Sequence, residues 1–170
     1  MTTIPLTQTD FDNIGRGYDP IAARSSSIHS DCYRDDRYLA VEREHIFHRS
    51  WQFVCHEEKL RQPGSYVTAS LQGQSIFVAR DAEGVLRAFY NVCQHRALRL
   101  VEESSSVKDF HCRYHGWVWG IDGVLKSVHD PENFSQGDPC GKLQLKELRC
   151  ESWGGFVWYS FSDDSPGLMD

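Results

Sequence analysis

Four side chains in one short stretch are chemically suited to act together. They are Cys93 and His95, then, after sixteen residues, Cys112 and His115, all within NVCQHRALRLVEESSSVKDFHCRYHGW (91–117). Thiolates and imidazoles are soft to borderline ligands that suit zinc, copper or iron–sulfur centres. In an extended strand the two members of Cys93-x-His95 would share a face, whereas at a tight turn they converge on neighbouring atoms of one site. Cys112-x-x-His115 also needs a turn, and Gly116 supplies the residue that permits close backbone approach. Two such loops, each at the end of a strand pair, would form a two-jawed clamp.

Several readings of that donor set compete. Structural zinc sites pair Cys with Cys and His with His, C-x₂₋₄-C then H-x₃₋₅-H; here each loop carries one of each, which disfavours zinc. A blue-copper site wants two His, one Cys and a weak axial Met, and the chain has only Met1 and Met169. A Rieske 2Fe–2S centre holds one iron through two Cys and the other through two His, and one of each per loop meets that split ligation. Unrelated buried cysteines and surface histidines are the fourth reading. His111 adjoins Cys112, and alternation would point it away from the site. His45 and His48 sit at i, i+3 with no third ligand nearby and read as surface or interface histidines. Cys32, Cys55, Cys140 and Cys150 lack partners at ligand spacing and read as small buried apolar groups.

The elements that must position these loops can be read from periodicity. Residues 1–36 mix polar and isolated apolar residues without a period and read as an arm that needs something to lie against. Residues 37–50 turn helical, with Asp35 or Asp36 as the cap and Val41, Ile46 and Phe47 facing a core. From Trp51 the period becomes two: WQFVCH, SYVTASL, SIFVARD, VLRAFYNVC, DFHCRYH, WVWGIDG, VLKSV and LKELRCESWGGFVWYSF read as short strands. RQPG, QGQ and DAEG punctuate them, Asp122-Gly123 is a hairpin signal, and the serine runs 25–27 and 104–106 read as loops. Residues 129–141 form a long loop. The expectation is a mainly β protein, an antiparallel β-sandwich, over 51–162, with 163–170 as a linker.

Composition narrows the partners. The 170 residues are 40% hydrophobic and 25% charged, as in an ordinary globular domain, and the net charge is −6, which argues against nucleic acid. No apolar run approaches the about eighteen residues of a transmembrane span, and MTTIPLTQTD lacks a secretory signal. The expected setting is the cytoplasm, where six cysteines point to metal binding or burial before disulfides.

NVCQHRALRL and CRYHGWVWGIDGVL resemble the two cluster-binding loops of Rieske non-haem iron oxygenases, the α-subunits of aromatic ring-hydroxylating dioxygenases. IFHRSWQFVCHEEKLRQPGSYVTASLQGQSIFVARDAEGVLRAFYNVC and LKELRCESWGGFVW extend the likeness over roughly residues 37–162. The resemblance implies that Cys93 and Cys112 hold an inner iron, and His95 and His115 an outer one. Around them, Trp117 would shield the cluster or pack in the core, and Arg96 would meet a carboxylate across an interface or stand exposed. Two departures stand out: Ala97 where the family usually has Gly, and Arg113 where Pro or Ser is common. Respiratory-complex Rieske proteins carry an extra cysteine in each loop, where this chain has Leu98 and Tyr114. The likeness further implies a reductase or ferredoxin donor, a catalytic domain with a mononuclear Fe(II) in the same or a neighbouring subunit, and a homo-trimer. That chemistry would hydroxylate an aromatic ring or N-demethylate a small amine. The mononuclear site usually shows a His-x₄-His pair, which these residues lack, so the expectation is an electron-transfer portion whose catalytic domain lies elsewhere. A stand-alone Rieske-type ferredoxin and a zinc-binding scaffold remain as alternatives.

Overall fold

The computed structural model describes residues 5–71 and 73–170. Residues 1–4 of the arm and Gln72 of the QGQ turn lie outside them. The chain divides into two units, one ending at Arg49 and one running from Ser50 to Asp170.

In the first unit, α1 (Gln8–Gly15) forms where the arm shows no apolar period, because Thr7 and Asp10 make a capping box. This reciprocal pair satisfies two otherwise orphaned amides. T-x-x-D was its signal in the sequence. Asp35 caps α2 (Asp36–Glu42) by accepting from the Arg37 amide. The Arg37 guanidinium then bridges Asp35 and, with both of its terminal nitrogens at 3.2 Å, Asp10, tying α1 to the start of α2. The helix expected over 37–50 divides: Arg43–Phe47 is a π-helical turn in which the His48 amide reaches the Arg43 carbonyl. That extra residue rotates the helical face, so Ile46, expected to face a core, is 55% exposed, and Tyr38 is the buried residue of α2.

In the second unit, the described residues form ten antiparallel strands. They are β1 (Gln52–His56), β2 (Ser65–Leu71), β3 (Gln74–Arg80), β4 (Leu86–Tyr90), β5 (Ser105–Ser106), β6 (Asp109–His111), β7 (Val118–Gly120), β8 (Leu125–Ser127), β9 (Glu147–Trp153) and β10 (Phe156–Ser160). Seven make one sheet in the order β1-β10-β9-β4-β3-β2-β5, and β6-β7-β8 make a second. β9 changes partner along its length, from β4 at Glu147–Leu148 to β10 at Arg149–Trp153. The antiparallel β architecture expected from the alternation is therefore present. One departure is β5, formed from a serine run read as a loop: Ser105 and Ser106 pair with Tyr66 and Ser65, and the Ser104 hydroxyl accepts from the Thr68 amide. At a sheet edge, hydrogen bonding to β2 outweighs the poor strand propensity of serine.

Side chains of β3 alternate between two cores. Phe77 and Ala79 join Tyr66, Phe89, Phe110, Trp119 and both loop cysteines, while Ile76 and Val78 join Leu60, Val67, Val157 and Tyr159. The first core glues the small sheet, and so both loops, to the large one. Phe77 and Phe110, from different sheets, meet with ring centroids 4.6 Å apart. The β3–β4 turn is held by buried Asp81, which accepts from the Glu83 and Val85 amides and from Arg87. Burial alone would raise its carboxyl, but these donors outweigh that and hold it below the usual range. Residues 163–170, expected as a linker, are pinned to this unit. Trp51 donates to the Pro166 carbonyl at 2.9 Å, the Leu168 amide donates to Glu151, and Arg149 reaches the Ser165 carbonyl.

Candidate metal centre

The two loops share one backbone design. In the first, the Cys93 amide donates to the Leu98 carbonyl at 2.8 Å and the Ala97 amide to the Cys93 carbonyl at 2.9 Å; in the second, Cys112 and Trp117 (2.8 Å) and Gly116 and Cys112 (3.0 Å) repeat the pattern. Each cysteine thus heads a turn closed four and five residues later. The fourth position takes a left-handed conformation in both, Ala97 at φ 58° and Gly116 at φ 67°. At Gly116 a side chain would also strike His129, whose Nε2 would lie 2.4 Å from an added Cβ.

Ala97 occupies that conformation despite its Cβ, at a cost of roughly 1–2 kcal/mol. Allowing for the greater freedom of an unfolded glycine, Ala97→Gly is expected to raise stability by about 0.5–1 kcal/mol, read as an upward shift of the urea midpoint; a downward shift would contradict the strain.

Asn91 closes the base of the first loop, a role that sequence reasoning missed. Its carbonyl oxygen accepts from the Leu100 and Val101 amides, and its amide donates to the Val101 carbonyl and the Ser75 hydroxyl. The only signal was an amide side chain where an apolar strand gives way to a loop. Leucine has nearly the same volume but would leave those buried backbone groups unpaired. Asn91→Leu is therefore expected to cost about 3 kcal/mol, measured by urea unfolding; a change below about 0.5 kcal/mol, the range of ordinary surface substitutions, would rule out the clamp.

The four side chains come together as two pairs. Cys93 and Cys112 are buried reduced thiols in one core cluster. Burial pushes the Cys93 thiol up, and the Cys112 thiol adds to the push. The His95 and His115 rings lie 4.5 Å apart, and each Nδ1 is buried without a hydrogen-bond partner. Burial, with help from His115 and Arg96, lowers the His95 pKa, so its ring is held neutral with a lone pair available. Trp117 stacks on His95 at 4.7 Å and 2°, and Tyr114 packs on His115 at 3.8 Å. Arg96 is exposed, as are His111 and His45; His48 is half-buried. Cys55 is buried, and Cys32, Cys140 and Cys150 are half-buried. Arg113 does not stand alone: its guanidinium pairs at 3.1 Å with Glu102, which also binds Arg99. A carboxylate thus offsets the positive charge that Arg113 brings to the second loop.

Among the described residues, no three His, Cys, Asp or Glu side chains converge closely enough to hold one metal ion. Zinc bound by all four would need them about 2.0–2.3 Å from a single point. Paired thiols on one side and paired imidazole nitrogens on the other instead fit a centre with two metal atoms, and the orphaned Nδ1 atoms are donors of the kind such a centre requires.

Known proteins bear this out at the level of family. Residues 50–149 match the model of the Rieske [2Fe–2S] domain. The large oxygenase component of the naphthalene 1,2-dioxygenase system of Pseudomonas aeruginosa is 39% identical over 80% of this chain and 31% of its own length. The carnitine monooxygenase oxygenase subunit of Escherichia coli is 35% identical over 81% and 37%. The crystal structure of naphthalene 1,2-dioxygenase from Rhodococcus sp. superposes with a TM-score of 0.86 at 25% identity, covering 96% of this chain and 38% of that one. The chain spans about a third of the length of the curated relatives it matches. On fold, loop design and similarity together, the chain belongs to the Rieske [2Fe–2S] domain family.

Proposed function

We propose that Cys93 and Cys112 hold one iron, and His95 and His115 the other, of a Rieske 2Fe–2S cluster, and that this unit is the electron-transfer portion of an oxygenase α-subunit. The observation that supports it most strongly is the sorting of the four donors into a sulfur pair and a pair of imidazoles with buried, unpartnered Nδ1 atoms. When bound, such a centre takes up and releases one electron at a potential of about −150 to +300 mV, against about −400 mV for all-cysteine ligation.

The chain's own residues prepare that site. The paired turns fix both cysteines before metal arrives, and burial pushes the Cys93 thiol up until a metal displaces its proton. Trp117 covers one face of His95 and fixes its plane, while Tyr114 does the same for His115. With Nδ1 covered and both histidines half-buried, exposure falls on the rest of each ring, where Nε2 can carry a proton and bond a partner's carboxylate. Arg96 and Arg113, both exposed beside the loops, would meet such a partner.

The electron donor is a reductase or ferredoxin, and the acceptor is a mononuclear Fe(II) site in a catalytic domain of the same or a neighbouring subunit, in a cytoplasmic, trimeric enzyme. The relatives' names favour oxygenation of an aromatic hydrocarbon such as naphthalene or of a small quaternary amine such as carnitine. The described residues contain no helix long and apolar enough to cross a membrane. An anaerobic titration of the iron-loaded chain with dithionite tests the carrier role. Uptake of one electron per chain is expected, and uptake of none would remove it.

A further inference from the structure

The long connection from β8 to β9 reaches both histidine-bearing turns, at three separate points. His129 lies on the second turn: a Cβ added at Gly116 would stand 2.4 Å from its Nε2 and 2.8 Å from its Cδ2, so the ring edge rests on the residue that follows His115. Phe134, half-buried, packs on Trp117 with ring centroids 6.0 Å apart at 59°, and Trp117 in turn stacks on the His95 ring. The Gln144 carbonyl accepts from the Gln94 side chain at 2.6 Å, and Gln94 stands between Cys93 and His95. The connection is itself anchored. The Gly141 amide donates to the Leu125 carbonyl at 2.8 Å, the Leu125 amide donates to the Leu143 carbonyl at 2.9 Å, and Cys140 packs against the main core.

The structure assigns this connection the part of a third jaw, in which His129 and Phe134 are positioning residues for the two imidazoles. His129 acts through Gly116 on the turn that carries His115, and Phe134 acts through Trp117 on the plane of His95. This rests on the ligand assignment proposed above. The cysteines are held by the main core, whereas the histidines are half-buried at its margin. A ligating imidazole is effective when its ring is fixed towards the metal, so the groups that orient it matter nearly as much as the ligand itself. A brace on each imidazole-bearing turn supplies that orientation from packing, without either brace meeting a donor atom.

The test compares the iron-loaded chain with Phe134→Ala and His129→Ala by pulsed EPR after dithionite reduction. A crossed pattern is expected. Phe134→Ala should shift or broaden the His95 nitrogen coupling and leave that of His115, and His129→Ala should do the reverse. Release of iron to bathophenanthroline should be about tenfold faster in each variant, as when a group that orients a ligand is lost. Phe134→Tyr and His129→Phe keep a flat ring at each place and should restore both readouts. Should Phe134→Ala not fold, Phe134→Leu, which keeps bulk without the ring, takes its place with the same expectation. Couplings that stay unchanged in both variants, or that move together in each as general loosening would make them, overturn the proposal, and so does unaltered iron release. Failure of the ligand assignment is separable: the unsubstituted chain would then show no pair of histidine couplings at all.

Discussion

Cys93→Ala and Cys112→Ala are each expected to give a colourless chain without stoichiometric iron or acid-labile sulfide. Both thiols lie in the main core, almost wholly covered. Burial pushes the Cys93 thiol up, so a bound metal is what would draw its proton off, and the placing of two cysteines in this core makes sense as ligation. Loss of one leaves a single chain sulfur where two are needed, in an apolar core shared with Trp117, Trp119 and Leu100 where water is a poor substitute. Since ligand binding and folding are coupled at such sites, the loops should lose protection in hydrogen exchange as well. Cys55→Ala and Cys150→Ala serve as controls. Those residues belong to the other core, and burial, aided by the nearby Cys55, lifts the Cys150 thiol to about 12, as in an inert packing group. Full iron and colour in Cys93→Ala, or their loss in Cys150→Ala, would contradict the assignment.

His115→Cys should retain an iron–sulfur chromophore while its potential falls by roughly 100 mV or more, within the gap of several hundred millivolts that separates mixed from all-cysteine ligation. The physical cause is charge: a neutral imidazole gives way to a thiolate, so the reduced form carries one more negative charge. Arg113 offers little compensation, because Glu102 already pairs with it. The double variant His95→Cys/His115→Cys should move further in the same direction. It would also lose the His95–Trp117 stack, so a modest stability loss is expected with it. Protein-film voltammetry gives the sign directly, and a rise in potential would invalidate the charge argument.

What sequence could reveal followed from local rules. Cys93, His95, Cys112 and His115 stand at spacings that point to a shared site, and the strands from Gln52 onward announce themselves by alternation and by turns such as Asp122-Gly123. Trp117 was visible as a neighbour of the second loop, although its stack on His95 needs the two loops in register. What escaped depends on contacts distant in sequence. Asn91 is ordinary until Leu100, Val101 and Ser75 surround it; His129 matters only because β8 returns it over Gly116. Ser105 and Ser106 form a strand because β2 offers an unpaired edge. Ile46 was placed on the wrong face because a period of 3.6 does not foresee a π-helical turn. Ala97 shows the reverse: its family position calls for glycine, and the backbone adopts the glycine conformation regardless.

Pulsed EPR of the dithionite-reduced, iron-loaded chain offers the most direct test of the ligand arrangement. Two inequivalent histidine nitrogens should couple to the reduced centre, one disappearing in His95→Cys and the other in His115→Cys. A reduced centre without nitrogen coupling would mean sulfur-only ligation, and an EPR-silent chain holding one zinc would mean a single tetrahedral ion; either result would refute the division of two sulfurs and two imidazoles between paired irons.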